Sequence, residues 1–194
     1  MGQLTLPTAE LPSFFILSGP REIGKTTFLK QLIKQTQDLQ IRVAGVISPA
    51  VIENGQKTGI DLIDLSTGNV KRLASLRLTE SQGIYTERWA FSSESLEWGN
   101  QILAASIPCD LLIVDELGPI ELERGQGWQK GIVALSSNQF QAAVAVIRPE
   151  LLDKAFSLWP QAKLMEITQQ NEAGLAQMRE SILAPLQRSS SYSI

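Results

Sequence analysis

"FFILSGPREIGKTTFLK", residues 14–30, decides how the rest of the chain is read. Four large apolar residues, Phe14 to Leu17, lead into a segment that holds Gly19 and Gly24, then into Lys25, Thr26 and Thr27. An apolar run of this length, bounded by Pro12 and Gly19, fits a strand buried on both faces. Beyond it, Phe28, Leu29, Leu32 and Ile33 recur at helical spacing. A packed core gains little from bare glycine. A main chain that must bend its N–H groups around an anion gains both freedom and close approach.

The connection itself, Gly19-Pro20-Arg21-Glu22-Ile23-Gly24-Lys25-Thr26, reads G-x-x-x-x-G-K-[ST], a phosphate loop. Its amides form an anion nest, and the helix that starts near Gly24 adds the positive end of its dipole. Lys25 is expected to reach the β- and γ-phosphates of a nucleoside triphosphate, and Thr26 to ligate Mg²⁺ through its hydroxyl. Pro20, Arg21, Glu22, Ile23 and Thr27 complete the expected nucleotide-binding segment. Arg21 either touches phosphate or is a solvated loop charge.

"LLIVDE", residues 111–116, sets Asp115 and Glu116 at the carboxyl end of a second apolar run. Ligands of open α/β sheets bind outside that end. This is the Walker B pattern. Asp115 is expected to hold Mg²⁺, and Glu116 to orient the attacking water. Glu121 and Glu123 follow; for Glu121 the reading favours a solvent-facing side chain.

Composition bounds the alternatives. The chain has 194 residues, 43% hydrophobic and 19% charged, with a net charge of −3. That is ordinary globular usage and supplies no basic field for nucleic acid. There is one cysteine, Cys109, and no histidine. Internal disulfides, thiol-zinc sites and every histidine-dependent mechanism are thereby excluded. A reducing, cytoplasmic setting is expected. No apolar run approaches the roughly 20 residues of a membrane span, and the opening residues lack the pattern of a secretory signal.

Strand and helix patterns alternate, which predicts an α/β three-layer sandwich with a mostly parallel sheet. "IRVAGVIS" (41–48), "DLLIVDELG" (110–118), "QAAVAVI" (141–147) and "AKLMEIT" (162–168) read as further strands. Helices are expected in "SSESLEWGNQILAAS", with Ser92 or Ser93 as N-cap and Pro108 as stop, in "WQKGIVALSS", in "PELLDKAFSLW" and in "NEAGLAQMRESILAPL". Asn54-Gly55 between apolar runs predicts an antiparallel hairpin insertion over about residues 49–76. "SQGIYTERWAF" reads as a loop carrying aromatics. The expected organisation is an arm over 1–12, one domain over 13–185 and a flexible tail over 186–194.

Four stretches together carry a family resemblance: "GPREIGKTTFLK", "GVISPAVIENGQKTGIDLIDLSTG", "LLIVDELGPIEL" and "EITQQN". In this order they resemble the small P-loop nucleoside-triphosphatases related to the cancer-related nucleoside-triphosphatase. The hairpin stretch is the most telling, because a generic phosphate-loop protein has no reason to carry it. The resemblance implies a RecA-like or AAA-like core, with the acid pair one strand away from the phosphate loop. It also implies Mg²⁺-dependent hydrolysis of several nucleoside triphosphates, with Lys25 and Thr26 serving phosphate and metal, Asp115 the metal and Glu116 the water. The chain departs from the family's usual pattern where Glu172 follows Asn171, and where Arg148-Pro149 stands without a histidine.

A cation on the γ-phosphate assists charge transfer to the leaving group. Arg148, at a strand end, is the first candidate for that catalytic role, and Arg124 the second. Arg88, beside Trp89, is a candidate for the nucleotide edge; the four tryptophans otherwise read as core. Asn171 either reads a base or caps the last helix, and the cap is preferred. Two other readings share the loop: a nucleotide or small-molecule kinase, and a nucleotide-gated binding protein with a protein partner. Glu116 and the absence of an arginine-rich lid favour hydrolysis.

Overall fold

A computed structural model describes residues 12–37, 39–77 and 83–190. The expected arm over 1–11 lies outside the described residues. The chain runs β1 (Ser13–Ser18), α1 (Lys25–Gln37), β2 (Val43–Ile47), β3 (Ala50–Glu53), β4 (Gln56–Asp64), β5 (Val70–Leu76) and β6 (Trp89–Phe91). It continues through α2 (Ser93–Ala105), β7 (Cys109–Leu117), α3 (Pro119–Leu122), α4 (Gln129–Ser136) and β8 (Phe140–Ile147). A short 3₁₀ turn, Pro149–Leu151, leads into α5 (Leu152–Leu158), β9 (Lys163–Glu166) and α6 (Glu172–Ser190).

The nine strands of the described residues join one sheet in the order β6-β5-β4-β2-β7-β8-β1-β9, with β3 paired to β4 off that path. From β2 to β9 every pairing is parallel. β3, β4, β5 and β6 are antiparallel. β8 separates the strand of the acid pair from the strand of the phosphate loop, as the family resemblance implies.

The parallel strands are apolar on both faces, and their side chains sort with period two. Phe14, Ile16, Leu112, Val114, Ala143 and Ala145 fill one core layer, with Trp128 and Trp159. Phe15, Leu17, Leu111, Ile113, Val144 and Val146 fill the other, against Phe28, Leu29, Leu32 and Ile182. Thus α1 and α6 cover one face, and α2, α4 and α5 the other. Each such fully buried aliphatic side chain contributes about 2 kcal/mol of hydrophobic stabilisation. Arg179 links the two helices of the first face: its guanidinium donates to Gln31 Oε1 of α1 at 2.7 Å and to Glu172 of α6.

Local chemistry fixes the element ends. Ser92 Oγ accepts from Ser95 N at 3.2 Å and caps α2, which ends at Ala105 ahead of Pro108. Asn54 and Gly55 both adopt positive φ, 51° and 76°, and turn β3 into β4 as expected of Asn-Gly.

Three readings change. The antiparallel region extends past residue 76, because Trp89–Phe91 pairs with β5 as β6. Three residues are too few to announce a strand by alternation. The segment after the acid pair contains the short helix α3. The last helix runs to Ser190, carrying Pro185 within it, and so reaches beyond residue 186, where a flexible tail was expected.

Candidate active site

The phosphate loop joins the end of β1 to the start of α1, so it rises from the carboxyl edge of the parallel sheet. Gly24 O accepts the first α1 hydrogen bond, from Phe28 N at 2.8 Å. Gly19 and Gly24 have φ of +148° and +102°, values that L side chains rarely adopt. A Cβ on Gly19 would collide with the carbonyl oxygen of Ile167. Glu22 also sits at positive φ, 62°, which curls the loop into a nest of amides. Arg21, Glu22 and Thr27 are exposed, Ile23 packs partly against the α1 and α6 core layer, and Gln170 donates to Ile23 O.

Lys25 folds back over this loop. Its Nζ donates to Gly19 O at 2.7 Å and to Pro20 O at 2.8 Å. Burial lowers its pKa, opposed by the charges of Glu116 and Asp115. A lysine so placed hangs over the cradle it is meant to serve.

Thr26 and Asp115 meet across 89 residues of chain: Thr26 Oγ1 donates to Asp115 Oδ2 at 2.9 Å. Asp115 is 3% exposed. The same Oδ2 accepts from Ser48 N at 3.2 Å, and Ser48 Oγ donates to the Asp115 carbonyl. Burial, then the neighbouring Glu116 charge, pushes the Asp115 carboxyl up to about 7. A carboxylate buried this deeply is costly without a cation beside it. The donors are hard oxygens, which suits Mg²⁺. Among the described residues no group of three or more His, Cys, Asp or Glu could hold a metal. A divalent ion here would therefore share Thr26 and Asp115 with substrate oxygens and water.

Glu116 turns the other way. Val114 pairs with Ala145 but Leu117 pairs with Ile147, so β7 takes three steps where β8 takes two. This bulge falls on the acid pair and re-aims both side chains. Asp115 points to Thr26, and Glu116 meets Arg148, whose Nε lies 2.5 Å from Glu116 Oε1. The arrangement can hold a triphosphate, a hard cation, a carboxylate for water and an arginine in one place.

Other sequence candidates lie elsewhere. Arg124 donates to Tyr85 O at 3.0 Å and so braces the segment before β6. Glu121 is buried rather than solvent-facing: it accepts from Gly118 N at 2.9 Å and Trp128 N at 3.2 Å, and burial raises its pKa. The short α3 turns it inward onto these orphaned amides. Glu123 pairs with Lys154 at 2.5 Å. Asn171 immediately precedes α6, and its carbonyl accepts from Leu175 N at 2.9 Å. Trp89, Trp128 and Trp159 are buried, and Trp98 packs partly buried against the core. Ser48 was missed by sequence reasoning. Its only signal is its place at the end of a strand neighbouring the acid pair.

Fold and site together define a three-layer α/β sandwich of the P-loop class, with the acid pair separated from the loop strand by one strand. The family model described as NTPase matches residues 14–183. A nucleoside-triphosphatase THEP1 of Metallosphaera sedula is 30% identical over 153 residues, covering 78% of this chain and 81% of that protein. That of Ignicoccus hospitalis is 27% identical over 140 residues, covering 72% and 78%. Two solved structures share the fold. The human cancer-related nucleoside triphosphatase superposes with a TM-score of 0.69 at 20% identity, covering 91% of this chain and 98% of its own. THEP1 of Aquifex aeolicus does so with 0.65 at 23%, covering 90% and 99%. The chain belongs to this NTPase family, and with it to the hydrolases.

Proposed function

We propose that the protein hydrolyses nucleoside triphosphates to diphosphate and inorganic phosphate with Mg²⁺ and broad base preference, and that residues 13–185 form its one catalytic domain. The contact between Thr26 and Asp115 at 2.9 Å carries this reading, because it brings the two expected metal-holding oxygens together beside the phosphate cradle. When bound, Mg²⁺ would neutralise charge on the β- and γ-phosphates.

The chain's own groups do the rest. Amides from Gly19 to Thr26 grip the phosphates, and Lys25 leaves the Gly19 and Pro20 carbonyls for the β- and γ-oxygens. Glu116 accepts a hydrogen bond from the attacking water and aligns it. Arg148 shifts from Glu116 to the γ-phosphate, which frees the carboxylate for that water. A cytoplasmic, reducing setting belongs to the same reading. The only cysteine, Cys109, is buried, and burial pushes its thiol up to about 11, so it is an unreactive core group. Among the described residues no helix is long and apolar enough to cross a membrane.

Phosphate release from ATP, GTP, CTP and UTP, with Mg²⁺ and with a chelator, tests the proposal. Release from several nucleotides, abolished by the chelator, is expected. Release only when an acceptor is added would identify a kinase instead.

A further inference from the structure

The hairpin has so far had no task at the site. β3 leaves from Pro49, directly after the Ser48 that holds Asp115, and β4 returns against it. Lys57, second residue of β4, pairs with Ile52 of β3. Four residues of strand past Ser48 correspond to about 13 Å, so the hairpin stands over the same sheet edge as the loop.

Lys57 is half-buried, and its Nζ lies 5.3 Å from the centroid of the Trp89 ring. The Arg88 guanidinium lies 5.1 Å from the same centroid, and Arg88 Nη2 reaches Lys57 O at 3.5 Å. Two cations thus share one buried indole. Neither makes a salt bridge among the described residues. Beyond this cluster Lys57 senses Glu22 of the phosphate loop, Glu116, and Arg148. Burial is the largest influence on it and disfavours its charge. Lys25 and Lys57 thus share Glu116 and Arg148 as charged neighbours, and Lys57 has Arg88 beside it and Glu22 of the loop within electrostatic reach. At rest Arg148 is paired with Glu116 and Lys25 with two loop carbonyls, whereas Lys57 and Arg88 lie on the indole, where cation–π contact is worth only about 1 kcal/mol per cation. A polyanion entering between loop and hairpin would give Lys57 and Arg88 an anionic partner.

We propose that Lys57, with Arg88 behind it on Trp89, is a further phosphate-binding cation of the reaction, delivered by the hairpin to the terminal phosphoryl group of a nucleoside triphosphate. This rests on the hydrolase reading above. The hairpin is then the wall of the site opposite the loop. Lys25 grips from the loop, Arg148 from β8 and Lys57 from β4, so charge moving through the γ-phosphate meets cations on three sides.

The test is Lys57→Met, which keeps the aliphatic stem on Trp89 and removes the charge. Turnover with Mg·ATP is expected to fall roughly 10- to 100-fold, with an unchanged melting temperature and unchanged affinity for Mg·ADP. Affinity for Mg·ADP with aluminium fluoride, which adds a mimic of the transferring group, is expected to fall with turnover. Lys57→Arg should recover most of both. A Lys57→Met protein with wild-type turnover overturns the proposal. So does an equal loss of ADP and fluoride-complex affinity, the mark of a structural brace. If Lys57→Met does not fold, Lys57→Gln is read in the same way. A folded wild-type protein that releases no phosphate from any nucleotide contradicts the hydrolase reading instead; the fluoride-complex titration still decides Lys57.

Discussion

Arg148 and Glu116 hold each other, Nε to Oε1 at 2.5 Å, from the ends of neighbouring strands β8 and β7. The pair joins the cation proposed for the γ-phosphate to the carboxylate proposed for the water. Both side chains are about a quarter exposed, 24% and 27%, so solvent screens the pair and leaves it free to exchange partners. In the proposed mechanism the triphosphate becomes the new partner of Arg148 and a solvent water that of Glu116. Under the proposed mechanism, hydrolysis waits until phosphate separates them.

Glu116→Gln preserves shape and removes the charge proposed to polarise the water. Phosphate release should fall by about 10²- to 10³-fold, while nucleotide affinity stays within a few-fold of wild type. Single-turnover assays beside calorimetric binding check this. A Gln variant with native turnover removes Glu116 from the chemistry.

Arg148→Ala is expected to lower kcat by about 10³-fold, with a smaller effect on KM. Arg148→Lys should recover little, because an ammonium cannot reproduce the planar donor set of guanidinium. Full activity in the alanine variant would return Arg148 to an ordinary strand-end charge.

Ser48 acts through Asp115, which it holds by its amide and by its hydroxyl. Ser48→Ala removes only the hydroxyl. The Mg²⁺ concentration for half-maximal turnover should rise about 10-fold, while saturating Mg²⁺ restores most of kcat. Loss of kcat that no Mg²⁺ concentration restores would show a different role.

Asp64 reports on the hairpin's foundation. Burial alone would raise its pKa, but Ser66 N at 2.9 Å, Ser66 Oγ at 2.7 Å and Thr67 Oγ1 at 2.7 Å donate to it, and the net shift is downward. A lowered folded-state value means that the carboxylate stabilises the fold above its unfolded value near 3.8, and that this is lost as pH falls through the folded value. Asp64→Ala should cost about 2 kcal/mol in urea unfolding at neutral pH, and much less in acid once the carboxylate is protonated in the folded state. An equal cost at both pH values would contradict the assignment.

The loop, the acid pair and the two-faced strands were readable because each rests on local chemistry. Gly19 and Gly24 are demanded by backbone shape, and Phe14 to Leu17 by burial on both faces. The Asn54-Gly55 turn declared the hairpin by itself. β6 was unreadable because three residues carry no period, and it exists only as an addition to β5. Glu121 looked solvent-facing because nothing in the sequence shows that α3 and Gly127 close over it. Ser48, Lys57 and the Glu116–Arg148 pair depend on strand order and bulge placement, which are tertiary facts.

Calorimetric titration of the purified protein with a non-hydrolysable nucleoside triphosphate and Mg²⁺, beside Lys25→Met, tests the central claim most directly. One saturable site in the wild type, lost or greatly weakened in Lys25→Met, is the expected result. A folded wild-type protein that takes up no triphosphate, or a Lys25→Met variant that binds it equally well, would contradict the account.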